Sequence, residues 1–381
     1  METTTSPTSL SAPPRPAPDT ASPAPSSQQE EVPARFSAQV GGHGGVLSSA
    51  DGSLLIKPAA PTEKAFYDAL ASSLPGQTDT DDNPELSAFE PLRKWVPTFY
   101  GTLRLEGRVV PVDGSMNSNA GNLMGDGTSG SGQESLVLAN AAHPFTRPNV
   151  LDIKLGTVLY DESATEEKKK RMEKQARETT SAETGMRLTG FQVWNAATNI
   201  YDVTPKAYGK SIRPAELPQG MAKFFSVSIS SGSGSVPAQT SAGVRPDLLI
   251  PVVKGVLDLV SELRADVAAT MMRMAGGSVL ILWEGDEGAL EAALDASVEA
   301  RLRRLASGEE EEVENGVEDE DEDEDSEASG GDGRPGPPYI VRLIDFAHTR
   351  AVESDQGPDE GVLKGLDTAI GLLRGRLAEL E

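Results

Sequence analysis

The 381 residues suffice for one large domain or two lobes, and 59 acids against 34 bases give a net charge of −25. The stretch 309–325, EEEEVENGVEDEDEDED, holds 13 acids and no base; the remaining 46 against 34 argue against a broad nucleic-acid face but leave room for a local basic pocket. The absence of cysteine excludes disulfides, thiolate metal sites and a cysteine nucleophile, three histidines (His43, His143, His348) are too few for a multi-histidine metal cage, and no apolar run approaches the ~20 residues of a membrane span.

Residues 1–30, rich in Pro, Ser, Thr and Ala and without the apolar core of a secretory signal, read as a disordered tail of a soluble, intracellular protein. Order is expected to begin near RFSAQVGGHGG, whose glycine run QVGGHGG (39–45) suits a mobile flap. SLLIKP (53–58) is a short apolar strand, and TEKAFYDALASSL (62–74) a helix with Thr62 as N-cap and Ala65, Phe66, Ala69 and Leu70 at helical spacing. TFYGTLRLEGRVV (98–110) alternates like a hairpin, 112–134 is a flexible insertion, and SLVLAN (135–140) is the next strand.

RPNVLDIKLG (147–156) alternates apolar with polar residues, and the charged run 164–183 predicts a helix. TGFQVWN (189–195) and IYDV (200–203) suggest paired strands, followed by a second low-complexity insertion at 226–243. From Asp247 to about Met274, Leu248, Leu249, Val252, Val253, Val256, Leu257, Val260 and Leu263 form one helical stripe. SVLILWEG (278–285) is a buried strand, GALEAALDASVEARLRRL a helix leading into an acidic insertion (307–336), YIVRLIDFAHT (339–349) is strand-like, and an amphipathic helix near 361–378 closes the chain. The order predicts an α+β protein of two lobes with a cleft between them, and shows no internal repeat.

Strand residues two apart share a side, so Asp152 and Lys154 face one way while Leu151, Ile153 and Leu155 face the other; Gly156 extends the polar row without a side chain. A carboxylate beside an ammonium can accept a hydroxyl proton while the ammonium holds a phosphate, and a solvent-exposed ion pair gives the same pattern. Asp345, ending an apolar strand in LIDFAHT, suits a Mg2+ anchor because Mg2+ takes one or two carboxylates plus phosphate oxygens; a strand-terminal cap is the alternative. Lys57, followed by Glu63 in the next helix, has the order of a phosphate-binding lysine braced by a glutamate, or of a surface lysine. Taken in order, these parts describe a nucleotide-dependent phosphotransferase.

PNVLDIKLG (148–156) matches the Pro-x-x-x-Asp-x-Lys-x-Gly signature of the inositol polyphosphate kinase family, and SVLILWEG resembles its Ser-Ser-Leu-Leu segment. IDFAHT resembles the family's metal-binding motif, and QVGGHGG, IKP…EKAFY, GFQVW, YGKSI and DEGVLKGLDTAI fall where the family has similar runs, so the likeness covers about 36–378 outside the insertions. The resemblance implies a two-lobed kinase-like fold with an antiparallel-sheet N-lobe (31–142), which binds nucleotide, and a larger mixed α/β C-lobe (143–381), which binds inositol phosphate. It implies ATP and Mg2+ as cofactors, with Lys57 on the ATP phosphates, Leu138, Ala139 and Asn140 in the adenine hinge, Ser278 on the nucleotide side and Asp345 on the metal. Asp152 would orient or deprotonate the attacking hydroxyl, with Lys154, His348 and members of the set Lys170, Arg171, Lys174 and Arg177 on substrate phosphates; a solvated helix face is the other reading of that set. Ala139 stands where relatives often carry an acid, and Val279 at the second position of the Ser-Ser-Leu-Leu segment; neither change removes a group the chemistry requires.

Family members restricted to inositol trisphosphate usually carry a larger insertion between the positions of Gly156 and Gly190, here 34 apart, and a Gly-Lys-Thr ending in the metal motif. The short segment and His348 imply an open pocket and a kinase that phosphorylates ring hydroxyls of inositol tris- and tetrakisphosphates toward the pentakisphosphate. A hexakisphosphate kinase making pyrophosphates, or a scaffold binding basic nuclear proteins through 309–325, are the alternatives; nucleus and cytoplasm are the expected compartments.

Overall fold

Two five-stranded antiparallel sheets carry the fold in the computed structural model, which describes Met1 and residues 34–35, 45–72, 89–104, 134–228, 242–307 and 335–381. The expectations placed on the tail 1–30, the glycine run up to Gly44, residues 112–133 and the acidic tract lie outside the described residues. From Pro33 to Glu381 the chain is one compact unit, both sheets included.

The first sheet contains β1 (Ala34–Arg35), β2 (Leu47–Ser48), β3 (Leu54–Pro58), β4 (Phe99–Arg104) and β5 (Glu134–Ala139), in the order β1-β2-β3-β5-β4. The partner of β4 is β5, which places Phe99 opposite Leu138 and Arg104 opposite Glu134; the expected return strand at 105–110 lies outside the described residues. Helix α1 (Pro61–Ser72) follows β3 and buries Phe66, Tyr67 and Leu70. Thr62 is not its N-cap. The helix starts one residue earlier on Pro61, whose missing N–H costs nothing in the first turn, and the Thr62 hydroxyl donates instead to the carbonyl of Ala347.

The second sheet is built around β6 (Pro148–Leu155). A loop and helices α2 (Glu166–Glu178) and α3 (Ser181–Thr184) lead from it to β7 (Met186–Asn195) and β8 (Ile200–Thr204). The expected single helix over 164–183 breaks at Thr179, which is extended and turns its hydroxyl back onto the Gln175 carbonyl (2.8 Å), while the buried Thr180 hydroxyl donates to the Met186 carbonyl (2.7 Å). After α4 (Lys206–Ser211) and α5 (Leu217–Phe224), the ends of the supposed insertion 226–243 are structured: Val227 bridges Val244, and Ala242 and Val244 are in the core.

Helix α6 (Pro246–Ala269) supplies nine buried aliphatic side chains, from Leu248 to Val267. At roughly 1.5–3 kcal/mol each, these side chains make the helix a major apolar contributor to the core. The helix stops short of Met274 because Thr270 is extended and its hydroxyl bonds the Asp266 carbonyl (2.8 Å); β9 (Met272–Met274) then pairs with β12 (Thr349–Ala351). The sheet is completed by β10 (Ser278–Glu284), followed by α7 (Glu287–Ser307), and by β11 (Tyr339–Ile344), giving the order β11-β10-β6-β7-β8. Helix α8 (Glu360–Leu380) ends the chain, capped by the Asp359 carboxylate on the amides of Gly361 and Val362 (both 3.1 Å). Among the described residues no helix is long and apolar enough to cross a membrane.

Alternation along β6 decides what the second sheet does. Leu151, Ile153 and Leu155 are fully buried in the main core with Val279, Ile281, Val341 and Leu343 from the neighbouring strands. Asp152 and Lys154 therefore face the other side. Gly156 takes φ +98°, a conformation an L side chain resists, and its amide donates to the Gly185 carbonyl (2.8 Å). The glycine thus serves the backbone turn out of β6, and the space it was expected to leave is flanked by the carbonyls of Val158 and Met274.

Candidate active site

Three elements bring the first charged group together. Lys57 projects from β3, Glu63 from the first turn of α1, and Asp345 from the end of β11. The lysine Nζ lies 2.8 Å from both Glu63 Oε1 and Asp345 Oδ1. Asp345 sits at φ +69°, a left-handed conformation that aspartate tolerates better than most residues. Phe346 fixes it there: the ring is fully buried, stacks on Phe66 at 3.9 Å, and its amide donates to Glu63 Oε1 (3.2 Å). Burial works against charge on Lys57, but the Asp345 and Glu63 carboxylates outweigh it and hold the ammonium above the usual lysine range. Lys57 is therefore no surface lysine, and the glutamate brace expected from sequence is formed.

The second group lies across the sheet face. Asp152 is 2% exposed, and its Oδ1 has no hydrogen-bond partner. Burial pushes its carboxyl above the ordinary aspartate value and Asp345 adds to this, against the opposing pull of Lys154, Ser278 and Lys206. Lys154 makes no ion pair with it; its Nζ donates to the carbonyl of Gly276. The exposed-pair alternative thus fails on burial as well as on geometry.

Register adds a residue that sequence reasoning missed. Lys154 stands between Ser278 on β10 and Arg187 on β7, while Asp152 stands between Leu280 and Gly190, with a bulge in β7 at Thr189. Arg187 is 5% exposed and its Nη1 has no partner; burial pulls its guanidinium below the usual arginine range, and Asp152 opposes the shift. The only sequence signal was a charged residue, the one in a strand whose other members are apolar or neutral polar. Ser278 Oγ and Thr189 Oγ1 are also buried without partners. Such groups cost about 1–3 kcal/mol each when left unsatisfied, and together they line a floor suited to a polar ligand.

No group of three or more acidic or histidine side chains gathers among the described residues as a metal cage. A hard cation that takes one or two carboxylates and completes its shell with phosphate oxygens nevertheless fits the oxygen donors present: Asp345, with the unpartnered oxygens of Asp152 and Ser278 on the same side.

At the end of β5, Leu138 is buried, the Ala139 amide donates to Thr98 (2.9 Å), and the Asn140 amide donates to Ser53 (2.7 Å). The Asn140 side chain holds the Gly52 carbonyl (2.7 Å). Both of these hinge amides are thus engaged within the protein, and a base bound here would use other edges. Beside the strand end, Phe145, Val150, Leu282 and Ile340 form a separate apolar cluster bordered by Ala141, Ala142 and Leu280. Val150, Leu280 and Leu282 lie on the same sheet face as Asp152, so an apolar floor runs directly into the polar one.

On the other flank, His348 lines a cleft of about 620 Å³ with Thr62, Thr157, Asp161, Arg273 and Arg350. Of the proposed basic set on α2, Lys170, Arg171, Lys174 and Arg177 are all exposed; Lys174 and Arg177 pair along the helix with Glu178 (3.7 Å) and Glu173 (3.8 Å). Lys168, outside that set, shares a carboxylate with His348: its Nζ lies 3.9 Å from Asp161 Oδ2, which His348 also touches.

A family model described as inositol polyphosphate kinase matches residues 135–374. The inositol polyphosphate multikinase of Saccharomyces cerevisiae is 28% identical over 365 residues, spanning 87% of this chain and 95% of that protein. The multikinase of Schizosaccharomyces pombe is 26% identical over 65% of this chain and 78% of its own length. Human inositol hexakisphosphate kinase 1 is 27% identical over 62% of this chain, which corresponds to 51% of that protein. The crystal structure of the Saccharomyces cerevisiae inositol phosphate multikinase with ADP and Mn2+ superposes with a TM-score of 0.52 and 22% identity, covering 86% of this chain and all of that one, and shows a shared fold.

Proposed function

The chain belongs to the inositol polyphosphate kinase family, and on that premise we propose that it transfers the terminal phosphoryl group of ATP to ring hydroxyls of inositol tris- and tetrakisphosphates, toward the pentakisphosphate. The observation that carries the reading is Asp152: a buried carboxylate with an unpartnered oxygen, opening onto a floor that also holds Lys154 and Arg187.

Phosphoryl transfer needs positioning and charge neutralisation more than covalent help from the protein. The substrate hydroxyl donates to Asp152 Oδ1, which turns its oxygen toward the terminal phosphorus. As that oxygen forms its bond to phosphorus and the bond to the ADP oxygen breaks, the hydroxyl proton passes to Asp152. An upward-shifted carboxyl is better matched to that proton than an ordinary aspartate. Lys154 and Arg187 offset the charge of the transferring group and the substrate phosphates, and Lys57, held by Glu63, contacts the nucleotide phosphates. Asp345 would hold Mg2+, which when bound neutralises phosphate charge. The apolar cluster around Phe145 and Leu282 receives the adenine.

Incubation with ATP, Mg2+ and each inositol phosphate in turn tests the proposal. Tris- and tetrakisphosphates should be consumed and pentakisphosphate should accumulate. The hexakisphosphate kinases among the relatives make the pyrophosphate reaction the competing outcome, and a pyrophosphate formed from the hexakisphosphate alone would overturn the reading.

A further inference from the structure

The turn between β11 and β12 is tied to the loop before α2 in a way the phosphoryl-transfer site does not require. His348 Nδ1 lies 2.7 Å from Asp161 Oδ2. The other carboxylate oxygen of Asp161 accepts from Ser163 Oγ, and Lys168 Nζ approaches Oδ2 at 3.9 Å. Two residues on, Arg350 Nη2 donates to Glu162 Oε1 at 2.5 Å, a second tie between the same segments. The histidine backbone is itself fixed, since its carbonyl accepts from the Ala275 amide (3.1 Å) and the preceding carbonyl accepts from Thr62. At 2.7 Å from a carboxylate, Nδ1 must carry a proton, so Nε2 is the ring atom left for a ligand. Nε2 has no partner among the described residues, and His348 lines the cleft with a side chain 44% exposed.

We propose that Asp161 is a positioning residue for the substrate: it holds the His348 ring so that Nε2 is aimed at a phosphate oxygen, to which it donates once the ring has taken up a second proton, the Asp161 carboxylate offsetting the imidazolium charge. The role rests on the substrate reading above. Asp161 is itself 20% exposed and keeps its charge readily, because the Ser163 hydroxyl, His348 and Lys168 together hold its carboxyl below the usual range. Without it the imidazole is free to turn about its χ angles, and a phosphate contact must then pay the ordering entropy at binding.

The test uses the full chain and the variants Asp161→Ala, Asp161→Asn, His348→Gln and the double variant Asp161→Ala/His348→Gln, each checked for an unchanged melting temperature. Because the protein has three histidines, ¹⁵N imidazole spectra with His348→Gln as the assignment control report the His348 tautomer without any substrate. In the wild type His348 should show a fixed Nδ1–H form, in Asp161→Ala an averaged one, and Asp161→Asn, which keeps an acceptor, should restore part of it. Calorimetry with an inositol tetrakisphosphate should give about tenfold weaker binding for Asp161→Ala, ATP affinity within twofold of wild type, and a double variant no worse than His348→Gln alone. An unchanged His348 spectrum in Asp161→Ala, or losses that multiply in the double variant, overturns the positioning role alone. Absence of any tetrakisphosphate binding by the wild type overturns the substrate reading and this role with it.

Discussion

Replacing Glu63 by glutamine isolates the brace on Lys57. The side chain is 2% exposed and accepts from two donors, Lys57 Nζ at 2.8 Å and the Phe346 amide at 3.2 Å. Glutamine keeps the shape and the acceptor oxygen that both donors use, so neither donor is orphaned; what changes is that the Phe346 amide bond becomes a neutral one and the Lys57 contact ceases to be an ion pair. Bonds to charged groups contribute about 1.5–3 kcal/mol against about 0.5–1.5 for neutral ones, so the expected loss is roughly 1–2 kcal/mol. Against a total of about 5–15 kcal/mol the variant stays folded, and its melting temperature falls by about 2–8 °C. Lys57 then has Asp345 as its single full counter-charge (2.8 Å) and is drawn toward it, away from the nucleotide phosphates. The specificity constant kcat/KM for ATP should drop at least tenfold. Scanning fluorimetry and steady-state kinetics on one preparation check both numbers. Glu63→Gln that melts and turns over like wild type would refute the brace, and a lower melting temperature with unchanged ATP kinetics would leave it structural only.

Asp152→Asn should cut turnover by roughly 10²–10⁴-fold while raising stability at pH 7. The folded carboxyl titrates above its unfolded value, so its charged form is penalised in the native state; the variant's gain is present at neutral pH and disappears as pH falls through the raised value toward the ordinary aspartate value of 3.8. Melting curves at pH 7 and pH 4 read the sign directly. Arg187→Met removes the buried cation opposite Lys154 and should lower kcat with KM for ATP within twofold, which initial-rate kinetics would check.

Much of this protein was legible in the chain itself. The two-residue alternation of β6 assigns Leu151, Ile153 and Leu155 to one face and Asp152 and Lys154 to the other, because that periodicity is a property of the extended backbone. The stripe from Leu248 to Leu263 identifies α6 for the same kind of reason at helical period. Local errors arose where a hydroxyl took an unforeseen partner: Thr62 binds Ala347 rather than capping α1, Thr179 breaks the charged helix, and Thr270 ends α6. Only the tertiary structure decided which distant residues meet. Lys57 and Asp345 are 288 positions apart yet joined at 2.8 Å, and the Asp161–His348 contact crosses from the loop before α2 to the turn after β11. Arg187 reaches the site through the register of β6 on β7, bulge included. Sequence fixes side-chain period within an element, a local matter of backbone geometry; register and burial between elements follow from packing the whole core, and those set whether a carboxylate is a solvated acid or a base.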